Sequence, residues 1–264
     1  MTTPVRRAGV LAERFASAGR PLLIGYLPAG FPSVDGAVEA LRAIVDAGVD
    51  VVEVGLPYSD PLMDGPVIQD AVDAALRAGA HTSDVLRTVA AVADSGVPVL
   101  VMTYWNPVES YGVQAFARDL AAAGGAGVIT PDLLPEEAGE WLPAAAEHGL
   151  DPVFLVAPSS PAERLRRVAA VTRGFVYAAS TMGVTGARAS TSTRAPELVA
   201  RVRAVTDLPV AVGHGVSNGA QAAEVGAFAD GVIVGSALVR ALAAGGTSAV
   251  AALAADLAAG VRSA

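Results

Sequence analysis

The sequence predicts one α/β domain, a (β/α)8 TIM barrel with an extra short N-terminal helix. Eight short, β-rich apolar runs recur along the 264 residues, and stretches with helical periodicity lie between them. Continuous apolar strands that alternate with helices are typical of a parallel sheet covered by helices. Eight such units in about 250 residues favour closure into a barrel over an open doubly wound sheet. No linker or low-complexity tract divides the chain, so residues 1–264 are predicted to form a single domain.

The elements follow one another in regular order. The strands are predicted at 22–26, 51–54, 99–103, 127–129, 153–156, 175–178, 209–212 and 231–234. A spacing of three to four between apolar residues predicts helices such as 34–46, 115–123, 136–147, 162–171, 195–205 and 219–226. The segment before the first strand reads as the short extra helix. The Ala- and Gly-rich tail, 241–264, reads as a terminal helix interrupted at Gly245 and Gly246.

Composition and charge narrow the class of protein. The net charge of -8 disfavours nucleic acid or an anionic membrane as the main partner. Mean hydropathy is +0.48, but no uninterrupted apolar stretch reaches the roughly 18 residues of a membrane span. Glu13 and Arg14 stand where a signal peptide would need an apolar core, which predicts a cytoplasmic chain. The absence of cysteine excludes disulfides and thiolate metal sites.

The chain has no lysine, since all 18 basic residues are arginine. A Schiff base with a carbonyl substrate, or pyridoxal phosphate held on this chain, would need a lysine amine. Any carbon–carbon chemistry here is therefore expected to be acid–base chemistry. The three histidines, His81, His148 and His214, are far apart and none belongs to a motif with metal-ligand spacing, so no metal site is predicted.

The most informative segment is VVEVGLPYSDPLMDGPVI, residues 51–68. Glu53 interrupts a β-branched run that reads as a buried strand, and an ionisable group is costly to bury unless something uses or neutralises it. Asp64 lies in the following loop. Each has a structural alternative: Glu53 as an ion-pair residue, and the loop aspartates as turn formers that cap the next helix. Their combination at one strand end and its loop favours a catalytic pair.

Three Gly-rich segments follow the last three predicted strands, at 180–188, 213–219 and 234–237. In a barrel of this class the loops at the carboxyl ends of the strands form the active site, and the last strands commonly hold a phosphate. Glycines let backbone N–H groups approach an anion, and the pair at 235–236 opens a helix whose N-terminus favours negative charge. Simple turns are the alternative. Arg188 would add charge to the site or remain solvated.

The chain resembles the tryptophan synthase alpha subunit family between about residues 20 and 240. The resemblance rests on EVGLPYSDPLMDGP (53–66), MGVTG (182–186), GHGVS (213–217) and the Gly-Ser pair 235–236. It implies reversible retro-aldol cleavage of indole-3-glycerol phosphate to indole and glyceraldehyde 3-phosphate. It also implies a beta subunit in an alpha2-beta2 heterotetramer, which receives the indole for L-tryptophan biosynthesis. No cofactor is expected on this chain, and pyridoxal phosphate is expected on the beta subunit.

The resemblance also assigns roles to residues. Glu53 is the general acid and base, and Asp64 is the anion near the indole N–H. Tyr177 lines the site, although core packing is its alternative, and Thr185 contacts the loop aspartate when a lid closes. The phosphate site is assigned to Gly186, Gly215, Gly235 and Ser236. The surface that faces the beta subunit is assigned to Pro57, Tyr58, Asp60, Asn106, Pro107 and Asp132.

An apolar pocket for the indole ring is predicted from the residues at or near the strand ends. It comprises Tyr26, Met102, Ile129, Leu155 and Ile233, each of which has barrel core as its alternative. Two residues depart from the family pattern. His214 stands where a bulky apolar residue is expected, and Thr181 stands where many members carry arginine.

Three other functions fit parts of this pattern. A stand-alone lyase that releases free indole would share every catalytic residue. A sugar-phosphate epimerase would need metal ligands or another base. A non-catalytic alpha-like subunit that only activates a partner would not need both Glu53 and Asp64.

Overall fold

The fold is a closed barrel of eight parallel strands, each hydrogen-bonded to the next in chain order, with β1 beside β8. It was obtained as a computed structural model that describes residues 9–179, 194–213 and 215–264. The predicted (β/α)8 barrel is confirmed. Its strands are β1 Leu22–Pro28, β2 Val51–Gly55, β3 Val99–Met102, β4 Gly127–Thr130, β5 Asp151–Val156, β6 Val176–Ala179, β7 Val210–Gly213 and β8 Gly231–Val234.

Helices surround the barrel, and two of them lie in each of the connections from β2 to β3 and from β3 to β4. The predicted short N-terminal helix is present as α1. The helices are α1 Val10–Ala18, α2 Val34–Asp46, α3 Pro66–Arg77, α4 Thr82–Ala93, α5 Trp105–Tyr111, α6 Val113–Ala122, α7 Trp141–Glu147, α8 Ala162–Val171, α9 Ala195–Arg203, α10 Gly219–Gly226 and α11 Ser236–Arg262.

The predicted element positions are right, and most of the differences lie at the ends. β5 begins two residues before the predicted start, because Asp151 and Pro152 read as turn residues although a proline is tolerated near the start of a strand. The prediction was wrong at 136–140, where the chain forms turns and α7 begins only at Trp141. Gly139 in that segment is a poor helix former. The predicted interruption of the last helix at Gly245 and Gly246 is confirmed, because both have non-helical backbone angles.

Helix α1 closes the barrel at the amino ends of its strands. Leu11 is fully buried in the apolar cluster inside the barrel, and the ring of Phe15 lies 5.5 Å from that of Phe175. Arg14 and Arg20 both form ion pairs with Asp50, which directly precedes β2. A site for a small ligand therefore belongs at the opposite, carboxyl end of the strands, as the fold class predicts.

Helix α11 is long and apolar enough to cross a membrane by length and composition alone. It is kinked at its glycine pair and packs against α2, α3, α10 and β1. Val250, Leu257 and Val261 are fully buried on its packed face. An alanine-rich outer helix of a barrel passes the same test, so this helix is weak evidence for a membrane span.

Candidate active site

Glu53 is the third residue of β2, and its Cα is paired with Tyr26 of β1 and Leu100 of β3. Val51 lies in the cluster inside the barrel, so Glu53, two residues on, points to the same interior. Its side chain is 2% exposed, and its Oε1 accepts no hydrogen bond from the described residues. No ion pair forms between Glu53 and any residue of the described ranges, which argues against the ion-pair interpretation. Burial alone raises the pKa of Glu53 to about 8, so this carboxyl is protonated at neutral pH.

Asp64 lies in the loop between β2 and α3 and is half-buried. Burial raises the pKa of Asp64 to about 6, and the nearby Tyr104 hydroxyl opposes that rise. The backbone carbonyl of Asp64 accepts a 2.7 Å hydrogen bond from the Gln69 side chain, which ties the loop to α3. The N-cap of α3 is Gly65, without a side-chain cap, so Asp64 does not act as the helix cap that the alternative interpretation required. At neutral pH Asp64 is therefore largely ionised, whereas Glu53 is protonated.

The charges of both carboxyl groups act on the same two tyrosines. Burial raises the pKa values of Tyr26 and Tyr177 well above the usual 10, and the negative charges of both Glu53 and Asp64 raise them further. Both tyrosines thus lie within electrostatic reach of both carboxyls. The structure thus brings one carboxylic acid, one carboxylate and two phenols to the barrel mouth. They belong to Glu53, Asp64, Tyr26 and Tyr177, all of which were assigned to the site from the sequence.

Glycines on neighbouring strand ends make room for the two tyrosine rings. A Cβ at Gly55 would collide with the ring and hydroxyl of Tyr26, and a Cβ at Gly213 would collide with those of Tyr177. A Cβ at Gly235 would lie 3.3 Å from Cδ1 of Tyr26, which is tight contact. Tyr26 therefore connects the end of β2 with the start of α11, where the phosphate was predicted.

The predicted apolar pocket residues fall into two groups. Met102 and Leu155 are partly exposed and pack against the cluster inside the barrel. Ile129 and Ile233 are buried in that cluster, at 0% and 3% exposure, beside Tyr177. Burial does not separate these residues from the site, because Tyr177, which is 7% exposed, lies in the same cluster.

The predicted phosphate residues follow β7 and β8. Gly215 has a positive φ of 98°, which favours glycine. Gly235 is the N-cap residue of α11, and the buried Ser236 is the first residue of that helix. The remaining predictions in this region, Gly186 and Thr185, lie outside the described residues, as do Thr181, Arg188 and His214.

Comparison with known proteins is consistent with this geometry. The family model for the tryptophan synthase alpha chain matches residues 13–261. The tryptophan synthase alpha chain of Salinispora arenicola is 60% identical over 259 residues, covering 96% of this chain and 97% of that protein. The chain belongs to the tryptophan synthase alpha chain family. The alpha subunit of this family carries out the lyase half-reaction of tryptophan biosynthesis.

Solved structures extend this comparison to the fold. A chain of tryptophan synthase from Mycobacterium tuberculosis superposes with a TM-score of 0.93 at 58% identity, covering 97% of this chain and 99% of that one. Tryptophan synthase subunit alpha from Legionella pneumophila gives 0.87 at 32% identity, covering 98% and 100%. The alpha chain name implies a beta-subunit partner.

The residues that the family resemblance assigns to the partner surface differ in exposure. Asp60 and Asn106 are exposed, Tyr58, Pro107 and Asp132 are half-buried, and Pro57 is buried. The Asn106 amide donates a 2.9 Å hydrogen bond to the Tyr58 hydroxyl, which joins the loops after β2 and β3. Leu62, in the loop after β2, is 72% exposed, which leaves a large apolar side chain on this surface.

One polar contact of this site was missed by sequence reasoning. The hydroxyl of Tyr104, the second residue after β3, accepts a 3.0 Å hydrogen bond from the amide of Met63, which is next to Asp64 in the chain. The signal that could have identified it is its place: a hydroxyl group directly after a barrel strand, where the fold class puts functional residues.

Proposed function

We propose that Glu53 and Asp64 catalyse the lyase half-reaction of this chain, the reversible retro-aldol cleavage of indole-3-glycerol phosphate to indole and glyceraldehyde 3-phosphate. The observation that carries the proposal is the state of Glu53: a buried carboxyl with a pKa of about 8 and an Oε1 that accepts no hydrogen bond from the described residues. Such a group holds a proton at neutral pH and can still transfer it.

The reaction needs a proton donor first. Indole is a poor carbanion, so its C3 must be protonated before the bond to the glycerol side chain can break. Protonated Glu53 delivers that proton, and the ring nitrogen then carries the positive charge. The Glu53 carboxylate next takes the proton of the side-chain hydroxyl as the carbon–carbon bond breaks. The electrons of that bond neutralise the ring, which releases indole and the aldehyde and leaves Glu53 protonated again.

Asp64 supplies the opposite charge. A half-buried carboxylate near the indole N–H stabilises the positive charge that forms when C3 is protonated, and this stabilisation is strong because water is partly excluded. The pKa of about 6 keeps Asp64 mainly ionised at neutral pH, while Glu53 stays mainly protonated. Two carboxyl groups with separated pKa values thereby serve as acid and as counter-charge.

The phosphate group is assigned to the start of α11 and the glycine turn after β7. The first backbone N–H groups of a helix have no partner within the helix and favour an anion. Gly235, Ser236 and Gly215 would present such groups, and Gly186 would add another. The space beside the Gly235 Cα is already filled by the ring of Tyr26. Tyr26 therefore limits the size of both the phosphate site and the pocket for the indole ring.

Substitution of Gly235 by aspartate tests this assignment. The new carboxylate would repel the phosphate, and its Cβ would press on Tyr26, so affinity for a non-cleavable indole alkyl phosphate should fall by roughly a hundredfold. Calorimetric titration would measure it. Gly139→Asp is the matched control, because Gly139 is exposed and a Cβ there meets nothing within 4 Å. Equal affinity in Gly235→Asp and wild type would place the phosphate elsewhere.

The finer assignments to the partner also belong to this proposal. A lysine-free chain fits a division of labour in which the beta subunit holds pyridoxal phosphate and receives the indole. Exposed Asp60, Leu62 and Asn106 beside the site fit a docked subunit in an alpha2-beta2 assembly. The complex is expected in the cytoplasm.

Indole release with and without a beta subunit tests the proposed function as a whole. The isolated chain should cleave slowly, and the beta subunit should speed cleavage by about tenfold, since the loop that holds Asp64 also carries the partner surface. A coupled assay for glyceraldehyde 3-phosphate measures the rate. A fast chain indifferent to the beta subunit would be a stand-alone lyase, and a chain inactive in both conditions would be an activator only.

A further inference from the structure

We infer that Gln221, on the outer helix α10, is a positioning residue for the phosphate group: its side chain fixes the end of the loop after β7, so that Gly215 meets the anion in one conformation. The inference rests on the proposed function, because it takes Gly215 as a phosphate-binding residue. Gln221 lies in the first turn of α10, behind that loop, and is not required to touch the substrate.

The Gln221 side chain is tied to the loop by two hydrogen bonds. Its Oε1 accepts from the backbone amide of Ser217 at 2.8 Å and from the Ser217 hydroxyl at 2.9 Å. Gln221 is 8% exposed, so these bonds are largely shielded from water and are stronger than hydrogen bonds on the surface. A single side-chain oxygen therefore holds both the backbone and the side chain of Ser217, two residues after Gly215.

Two other side chains fix the segment that joins this loop to α10. Asn218 is the N-cap residue of α10, and its side chain accepts a 2.9 Å hydrogen bond from the Gln221 amide. Asn218 and Gln221 thus form a reciprocal cap, which differs from the usual capping box because Gln221 reaches back to Ser217 and not to the N-cap residue. Asp256 of α11 accepts a 2.7 Å hydrogen bond from the Gly219 amide.

Packing restrains the same segment. Val216 is 4% exposed and belongs to the larger apolar cluster, which lies between the barrel and its helices. Gly260 of α11 lies so close to the start of α10 that a Cβ on it would collide with the Gly219 carbonyl. The chain is therefore anchored at Val216, Ser217 and Gly219, and Gly215 is the residue directly before these anchors.

The caps also determine which helix N-terminus is open to the phosphate. Helices α10 and α11 follow the neighbouring strands β7 and β8, so both begin at the carboxyl end of the barrel. The first turn of α10 already holds the Asn218 and Asp256 side chains, and the negative charge of Asp256 repels a second anion. Gly235, the N-cap residue of α11, has no side-chain cap within the described ranges. Helix α10 therefore supports Gly215, while α11 offers its N-terminus to the phosphate.

Gln221→Met removes the acceptor and keeps a side chain of similar size. Ser217 then loses its partner, the loop samples more conformations, and part of the binding free energy is used to order it. Affinity for a non-cleavable indole alkyl phosphate should fall about tenfold. Affinity for the corresponding indole alkyl alcohol, which has no phosphate, should change less than about twofold. Calorimetric titration of the full chain measures both ligands.

The rate of cleavage gives a second measurement. With the beta subunit present, KM for indole-3-glycerol phosphate should rise about tenfold in Gln221→Met, and kcat should stay within about twofold of wild type. Ser33→Ala is the matched control, because it removes a 3.0 Å N-cap hydrogen bond to the Gly36 amide of α2. Both variants should unfold at lower urea concentration, but Ser33→Ala should bind the phosphate ligand as wild type does.

A second pair of variants tests the inference through an exposed side chain. Asn218→Ala keeps Gln221 but removes the cap that holds its backbone, so affinity for the phosphate ligand should fall about threefold. Asn218→Ser keeps an N-cap acceptor and should restore wild-type affinity. Because Asn218 is exposed, both variants should fold even if Gln221→Met does not.

Any of four results would overturn the inference: unchanged affinity for the phosphate ligand in Gln221→Met, an equal loss for the alcohol, an equal loss in Ser33→Ala, or no difference between Asn218→Ala and Asn218→Ser. Failure of the proposed function gives a different result. In that case the wild type itself would bind the phosphate ligand no more tightly than the alcohol, or would not cleave indole-3-glycerol phosphate.

Discussion

Glu53→Gln should lower the turnover of indole-3-glycerol phosphate by roughly 10³–10⁴-fold, the range expected when a general acid and base is lost. The amide keeps the size and hydrogen-bonding capacity of the side chain, but it neither delivers a proton to C3 of indole nor takes one from the side-chain hydroxyl. Single-turnover indole release with the beta subunit present measures the effect. Substrate affinity should change little, because the phosphate and ring contacts remain.

The same substitution should stabilise the fold at alkaline pH, which separates loss of chemistry from loss of structure. The pKa of Glu53 is raised from 4.5 to about 8, so the folded wild type must either keep Glu53 protonated or bury its negative charge. Between these values the folded state binds more protons than the unfolded state, and the free energy of unfolding falls as pH rises. Glutamine never ionises, so it should gain a few kcal/mol over wild type at pH 9 and little at pH 5.

Urea unfolding at both pH values measures this difference. Glu39→Gln is the control, because Glu39 is exposed on α2 and its loss should alter neither turnover nor stability. Near-wild-type turnover in Glu53→Gln with an intact fold would overturn the mechanism. A variant that is inactive and also destabilised at pH 9 would show that Glu53 is stabilised as an anion in the fold.

Glu53 could be identified from the sequence because a charged residue within an apolar run is rare. This signal is not specific for catalytic residues, however. Asp151 also begins a strand and is buried, with a pKa raised to about 6 by burial. Its carboxyl lies against Gly9, at the closed amino end of the barrel. Both acids are buried, so burial does not distinguish a catalytic carboxyl from a structural one. What distinguishes them is whether the residue lies toward the carboxyl end or at the amino end of its barrel strand. Knowledge of the fold class supplied that distinction for Glu53.

The predictions that failed or were absent depend on contacts between distant segments. The barrel, its eight strands and the break at Gly245 follow from local patterns of apolar residues, proline and glycine. By contrast, Tyr104 is 41 residues from Met63, whose amide donates to its hydroxyl, and nothing in either segment alone indicates that they meet. The roles of Gly55 and Gly213 as spaces for tyrosine rings also exist only across neighbouring strands.

Asp64→Asn should be nearly as damaging as the loss of Glu53, at about 10²–10³-fold in kcat, the usual loss for a preorganised electrostatic group. The amide retains the shape of the carboxyl, and the backbone carbonyl still accepts the Gln69 hydrogen bond, so the loop should stay in place. It cannot offset the positive charge on the indole ring after C3 is protonated. The loss should therefore appear in kcat, with KM close to wild type.

The pH dependence of this variant identifies the group. In the wild type, kcat/KM should fall below pH 6 as Asp64 takes a proton and above pH 8 as Glu53 loses one. In Asp64→Asn the acidic limb should disappear while the basic limb remains, because only one of the two titrating groups has been removed. Indole release measured from pH 5 to pH 9 tests this. If the acidic limb persisted near pH 6 in Asp64→Asn, that titration would belong to another group, and Asp64 would not be the anion on which the reaction depends.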